Sequence, residues 1–148
     1  MPKFYPLKVK DLYKDTEQCS VIEFDIPEDL KDKFKYKAGQ YLTLRETING
    51  EDIRRSYSLC SSPIDNEWKV AVKQIPDGKF STHVNQFLKK GDTLQVMKPM
   101  GRFGTTISEI PKNYIVFTAG SGITPILSMI KTHLAKEPNS TFKLFYLN

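Results

Sequence analysis

A chain of 148 residues, 39% hydrophobic and 26% charged, has the size and composition of a folded globular protein: one compact domain, or one with part of another. It lacks the apolar run of roughly eighteen residues that a membrane span needs, and its two cysteines, Cys19 and Cys60, match neither a disulfide framework nor a zinc spacing. The formal charge of +5 favours an anionic partner, which leaves phosphate-bearing cofactors, nucleic acid and acidic proteins open. Met1-Pro2-Lys3-Phe4 leads into alternating sequence rather than an apolar signal core, so a cytoplasmic location with reduced thiols is expected.

Leu7 and Val9 alternate with Lys8 and Lys10, and Ile22, Phe24 and Ile26 alternate with Glu23 and Asp25; this period of two marks half-buried strands. From Pro27 to Lys37, lysines interleave with Phe34 and Tyr36. That stretch reads as a solvated loop or edge, with a docking patch for an acidic partner as the alternative. A strand with Leu42 and Leu44 on one face follows, and Asn49-Gly50 turns it into a hairpin. The returning strand ends in Arg54-Arg55-Ser56-Tyr57-Ser58-Leu59-Cys60-Ser61-Ser62-Pro63, an unusual cargo for a core strand. Guanidinium groups match phosphate oxygens, a phenol ring offers a flat face, and hydroxyls offer short donors. Together they suit a ligand with a pyrophosphate and a large aromatic ring; an amphipathic strand facing water is the plainer alternative.

Trp68, Val70 and Val72 alternate with Lys69, Ala71 and Lys73, and Pro76-Asp77-Gly78 turns the chain. A short helix is expected to run through Val84–Leu88, with Ser81 or Thr82 as its N-cap. Gly78 before it leaves backbone N–H groups free to meet an anion, and Lys79 adds charge; an ordinary capped helix explains the same residues. His83 reads as a surface residue without chemistry. Thr93–Met97 is the last strand of the barrel, and in the loop after it Phe103 is expected to pack under the barrel, with a place beside a ligand as the alternative. Six strands at short spacing with Gly, Pro and Asn turns point to a mainly β fold, a six-stranded antiparallel Greek-key barrel with one short helix.

At Tyr114 the pattern changes. Tyr114–Ala119 is a continuous apolar run, as in a strand buried on both faces of a parallel sheet. It ends in Gly120-Ser121-Gly122-Ile123-Thr124-Pro125, after which a helix is expected with Thr124 as N-cap and Pro125 in its first position. His133 falls on the apolar face of that helix and reads as a boundary residue. Thr141–Leu147 is a second strand. Strand, glycine loop, helix and strand form the first β-α-β unit of an α/β nucleotide-binding domain, although Pro125 stands where a full dinucleotide fingerprint has its third glycine. The division expected is 1–112 for the barrel and 113–148 for the α/β start. Two parallel strands and one helix cannot bury both sheet faces, so a fragment of a longer protein is expected, with a bare edge that invites dimerisation.

The barrel, Arg55-Ser56-Tyr57-Ser58, Gly78-Lys79-Phe80-Ser81 and Gly120–Pro125 occur in an order that resembles the ferredoxin–NADP reductase superfamily. The likeness covers nearly the whole chain and is nearest to reductase components of multicomponent oxygenases and to flavodoxin reductases. It implies FAD as cofactor and NADH or NADPH as electron donor. Arg55 would bind the FAD pyrophosphate, with Ser56 beside it in the motif. Tyr57 would stack on the isoalloxazine, and Ser58 would lie near its reactive edge. Val72, Lys73 and Gln74 would border the flavin, and Gly78, Lys79, Phe80 and Ser81 would present backbone donors to the pyrophosphate. Gly120, Ser121, Gly122 and Thr124 would face the nicotinamide, which makes Ser58 and Thr124 the candidate catalytic residues. Strand parity puts Arg55, not Arg54, on the side of Tyr57.

The implied acceptor is an acidic electron-transfer protein such as a ferredoxin or flavodoxin, an oxygenase, or an appended iron–sulfur domain. The chain itself shows no metal-ligand spacing. The resemblance implies that this stretch binds FAD but is a weak NAD(P)H oxidase, and that the choice between NADH and NADPH lies at and beyond its second parallel strand. A basic β-barrel binding single-stranded nucleic acid is the rival from another class, and it leaves the Gly120–Pro125 loop unexplained. A flavin-binding module without turnover is the third reading.

Overall fold

A computed structural model describes residues 2–148. Six strands make one antiparallel sheet: β1 (Phe4–Thr16), β2 (Cys19–Asp25), β3 (Tyr41–Ile48), β4 (Glu51–Ser58), β5 (Lys69–Lys73) and β6 (Thr93–Met97). Their order, β4-β3-β6-β1-β2-β5, sets the sixth strand between the third and the first, a Greek-key crossing. A single bridge, Leu59 to Val70, joins the two outer strands and closes the sheet. The closure is therefore narrower than a full barrel ladder, and most of the outer edge of β4 stays unpaired. Asn49 and Gly50 both have positive φ (52° and 80°), the conformation a tight two-residue hairpin requires, and they join β3 to β4 in full register.

The alternating apolar residues do what their period dictates. Leu7, Ile22, Leu42, Leu44, Val70 and Val96 are wholly buried in the barrel. Two stretches depart from the sequence reading. In β2 the polar side is buried as well: Glu23 is inside, held by Lys10 at 2.6 Å and flanked by Lys69 at 3.7 Å. The stretch from Pro27 to Lys37 is neither a loop nor an edge but a plug. A 3-10 turn (Glu28–Leu30) runs into α1 (Lys31–Phe34), and Leu30, Phe34 and Tyr36 fill the end of the barrel. Trp68 locks the plug by donating its indole N–H to the Phe34 carbonyl at 2.7 Å. Of its lysines, Lys31 and Lys35 pair with Glu28 and Asp32 one turn away.

The remaining elements are α2 (Lys79–Gln86), packed on β5, β3 and β4, and a parallel pair, β7 (Asn113–Ala119) and β8 (Thr141–Leu147), with α3 (Ile123–Lys136) on one face. β7 is not buried on both sides as its apolar run implies. One helix covers one face, and Ile115, Phe117, Phe145 and Leu147 stand exposed on the other. Both expected N-caps also shift. α2 is capped by Gly78, with Ser81 inside the helix; α3 begins at Ile123, so Thr124 and Pro125 are its second and third residues. The reason is shared: each helix is entered from a glycine turn whose backbone supplies the bend, and neither cap has a side-chain hydrogen bond. Proline is tolerated there because the first-turn N–H groups lack helical partners anyway. Among the described residues no helix is long and apolar enough to cross a membrane.

Candidate cofactor site

β4 is the centre of the site because its register sorts its side chains. Leu42 pairs with Tyr57 and Leu44 with Arg55, so Arg55 and Tyr57 share the face of two core leucines. Arg45 pairs with Arg54 and Thr43 with Ser56, which sets Arg54 and Ser56 on the opposite face. There Arg54 binds Asp52 at 2.8 Å, both Arg54 and Arg45 lie over the ring of Phe4, and the hydroxyls of Ser56 and Thr43 are 2.8 Å apart. The Ser56 side chain is thus not brought together with Arg55 and Tyr57. Arg55 is exposed, and one of its N–H groups donates to the Arg54 carbonyl at 2.7 Å.

Tyr57 is half-buried, its ring 6.0 Å from that of Phe80. Burial pushes its phenol up to about 12, against the pull of Arg55, so it is neutral at physiological pH. Phe80 is a core residue that supports Tyr57, and its side chain is closed to a ligand. Ser58 is half-buried opposite Tyr41, and its hydroxyl has no hydrogen-bond partner among the described residues. It points to the face opposite Tyr57, so a planar group meets both only at the unpaired edge of β4.

α2 presents its N-terminus next to this strand. The first intrahelical bond runs from Thr82 N–H to the Gly78 carbonyl at 2.9 Å, which leaves the N–H groups of Lys79, Phe80 and Ser81 without helical acceptors. The Ser81 hydroxyl is committed to the turn: it accepts from Ile75 N–H at 3.2 Å and donates to the Gly78 carbonyl at 3.1 Å. A Cβ on Gly78 would collide with Ile75 Cγ1 and, at 2.5 Å, with Ser81 Oγ, so the tight turn needs glycine. Lys79 does not point freely at an anion; its Nζ lies 2.7 Å from both carboxylate oxygens of Glu51 at the start of β4.

Val72, Lys73 and Gln74 divide. The Val72 side chain is in the core and its carbonyl accepts from Asn85, while Gln74 N–H donates to Gln18. Only Lys73, exposed, and Gln74, half-buried, have side chains outside the core. At the far loop Gly120 takes a left-handed φ of 51°, and a Cβ on Gly122 would lie 2.7 Å from Thr118 Oγ1. The Thr124 hydroxyl donates to the Ser121 carbonyl at 2.9 Å, and Tyr146 O–H to that of Gly120 at 3.2 Å. This loop lies at the carboxyl end of β7, where open α/β sheets bind ligands.

Several buried polar residues lay outside the sequence reading. Ser62 and Thr132, and Ser61 and Ser128, bond between the end of the β4 segment and α3. The spacing of Ser128 and Thr132, one helical turn apart, is the only sequence signal they carry. His133 is 1% exposed rather than a boundary residue, with its two ring nitrogens against the Met129 carbonyl and Thr105 Oγ1. Nearby, burial raises the Glu137 carboxyl, but bonds from Ser108 N–H, Ser140 and Tyr114 outweigh it and hold the group below its usual range. Burial pushes the Cys60 thiol up to about 11, which leaves it unreactive at neutral pH.

The profile of the oxidoreductase FAD-binding domain family matches residues 6–104. The chain belongs to that family. It is 40% identical over 149 residues to a component of the 1,2-phenylacetyl-CoA epoxidase of Escherichia coli K12, covering 100% of this chain and 42% of the relative. It is 39% identical over 132 residues to the ferredoxin reductase component of 3-ketosteroid-9-alpha-monooxygenase from Rhodococcus rhodochrous, covering 88% and 37%. Among solved structures, phthalate dioxygenase reductase superposes with a TM-score of 0.77 at 28% identity, covering 97% of this chain and 43% of that one. The chain thus spans about two fifths of the length of these relatives. The barrel expected from period-two strands and the resemblance drawn from three motifs both agree with this family.

Proposed function

We infer that this chain is the flavin-holding part of an NAD(P)H-dependent reductase that delivers electrons to an oxygenase, ferredoxin or flavodoxin. One observation carries the reading: in a member of the FAD-binding family, Arg55 and Tyr57 share one face of β4 beside a helix N-terminus with three N–H groups that lack helical acceptors. A guanidinium and a helix N-terminus are an anion site for a pyrophosphate, and a neutral, supported phenol ring is a platform for a flat heterocycle. The residues present therefore fit FAD. When bound, FAD supplies the redox chemistry, accepting two electrons from a nicotinamide and passing them on one at a time.

The protein groups bind and orient. Arg55 and the first turn of α2, Gly78 to Ser81, neutralise the phosphates, Tyr57 covers one ring face, and the unpartnered Ser58 hydroxyl offers a hydrogen bond at the ring edge. Ser56, Lys73 and Gln74 are assigned no more than bordering roles. Gly120–Thr124 is assigned to the NADH or NADPH side, with 1–112 as the flavin domain and 113–148 as the start of the nicotinamide domain. The proposed acceptor is an acidic protein or an attached iron–sulfur domain; the excess of basic residues supports this. The free thiols Cys19 and Cys60 support work in the cytoplasm, and the unpaired edge of the two-stranded β7–β8 sheet is where two copies would pair.

The test is reconstitution. The purified chain mixed with FAD is expected to turn yellow and to quench flavin fluorescence. Arg55→Ala should weaken binding about ten- to a hundredfold, the range of a charge-assisted hydrogen bond. A colourless chain that ignores FAD and binds oligonucleotides with a steep salt dependence refutes the reading.

A further inference from the structure

A polar seam joins the segment after β4 to α3. Beyond Ser58 the strand ends and the chain runs on irregularly through Leu59 to Ser62, where it lies against α3. Ser128 Oγ donates to the Ser61 carbonyl at 2.6 Å, Ser62 Oγ and Thr132 Oγ1 are 2.6 Å apart, and Lys131 reaches Asp65 at 2.9 Å. The directions follow from the proton count. Thr132 gives its proton to the Ser128 carbonyl at 2.6 Å, so Ser62 is the donor in the pair with Thr132. Ser62 and Ser128 are wholly buried, and no buried polar side-chain atom among the described residues lacks a partner.

The seam is anchored at both ends. On the barrel side the Ser61 hydroxyl meets Tyr36 O–H at 2.8 Å and accepts Lys69 N–H at 3.0 Å, while Leu59 N–H donates to the Gln40 carbonyl at 2.9 Å. On the other side Ser128 lies one helical turn beyond Thr124. Only Leu59 and Cys60 lie between Ser58 and Ser61, and the N–H groups of both are bonded, to Gln40 and Lys69, so hydrogen-bonded contacts lead from the flavin strand to the helix that follows the nicotinamide loop. Apolar contact alone lets a helix slide; directional, fully paired buried bonds allow one arrangement.

We propose that Ser128 and Thr132 are positioning residues: through Ser61 and Ser62 they hold the Gly120–Thr124 loop in fixed relation to Tyr57 and Ser58. This rests on the reading of β4 as the flavin strand. A ligand that orders β4 must then also steady α3, because coupling between linked sites is reciprocal.

Hydrogen–deuterium exchange of the chain with and without FAD tests it. In the wild-type chain FAD slows exchange in β4 and α2, and in α3 as well. In Thr132→Val and Ser128→Ala, FAD binds within about twofold of wild type and β4 and α2 keep their protection. The basal exchange of α3 accelerates about five- to tenfold, as for one lost hydrogen bond, and its response to FAD disappears. Thr132→Ser, which keeps the hydroxyl, restores that response. Should Thr132→Val fail to fold, Ser128→Ala alone carries the comparison. A wild-type chain that binds no FAD overturns the flavin reading and this proposal with it. FAD binding with no slowing of α3, or a response that survives in the variants, overturns the proposal alone.

Discussion

Tyr57 offers the sharpest test of the site because its two possible contributions separate cleanly. Its ring packs on Phe80 at 6.0 Å, while its hydroxyl has no hydrogen-bond partner among the described residues. If the ring is the platform, Tyr57→Phe should leave FAD affinity within about twofold, since a benzene ring has nearly the same face. Tyr57→Ala should remove the stack, worth about 1–3 kcal/mol for a heterocyclic base on an aromatic side chain, or roughly 5- to 150-fold in dissociation constant. The assay is titration of FAD fluorescence with each variant at constant salt. Tyr57→Ala also forfeits the contact with Phe80, about 0.5–1.5 kcal/mol. A urea melt of the FAD-free variants should therefore be run alongside, so that loss of binding is not confused with loss of fold. Equal FAD affinity in Tyr57→Ala and wild type would falsify the stacking argument. A loss in Tyr57→Phe as large as in Tyr57→Ala would show that the hydroxyl, not the ring, meets the ligand.

Other outcomes follow from the same structure. Gly39 has φ +96° and a Cβ there would collide with the Phe103 carbonyl, so Gly39→Ala should destabilise the fold by at least about 1–2 kcal/mol, read as a lower urea midpoint. Burial raises the phenols of Tyr36 and Tyr57, the latter to about 12. Groups whose folded pKa is raised stabilise fully below the unfolded value, near 10, and lose that contribution as pH rises through the folded one. Stability should hold to about pH 10 and fall above it, and a melt series that stays flat to pH 12 contradicts this. Asp65 has the opposite sign: its bond to Lys131 and the Ser62 N–H outweigh partial burial and lower its pKa. Its contribution is present above the ordinary carboxylate range and lost as pH falls through the folded value, so the protection of α3 relative to intrinsic amide exchange should fall below about pH 4 in wild type and less so in Asp65→Asn.

What could be read from the sequence was whatever is local. Period-two alternation marks the strands because neighbouring side chains must take opposite faces, and Asn49-Gly50 marks the hairpin because few residues accept two positive φ values in a row. The same parity assigned Arg55 and Tyr57 to one face of β4, where the structure has them. What could not be read depends on distant parts of the chain. Phe34 and Tyr36 look like aromatics scattered among lysines until the open end of the barrel gives them a place to go. Ser81 looks like a cap until Gly78 supplies the bend and takes its proton. His133 sits at a face boundary on a helical wheel, yet Thr105 and Tyr114 from other segments enclose it.

The hydroxyl run after Tyr57 is the instructive case. Read locally, Ser58, Ser61 and Ser62 are equivalent polar residues at the end of a strand, and all could be given to the ligand. Their environments separate them. Ser58 is half-buried with its hydroxyl unpaired, whereas Ser61 and Ser62 are buried and fully bonded to Tyr36 and Lys69 on one side and to Ser128 and Thr132 on the other. A hydroxyl with a free proton beside an open strand edge is poised for a ligand, while one whose proton and lone pairs are already used can only transmit position. β4 therefore divides near Leu59, the residue that closes the barrel. Before it Arg55 and Tyr57 share the face proposed for the cofactor, and after it Ser61 and Ser62 fasten α3. That division explains why one ten-residue stretch carries both the arginine–tyrosine platform and the serines that a ligand site alone would not require.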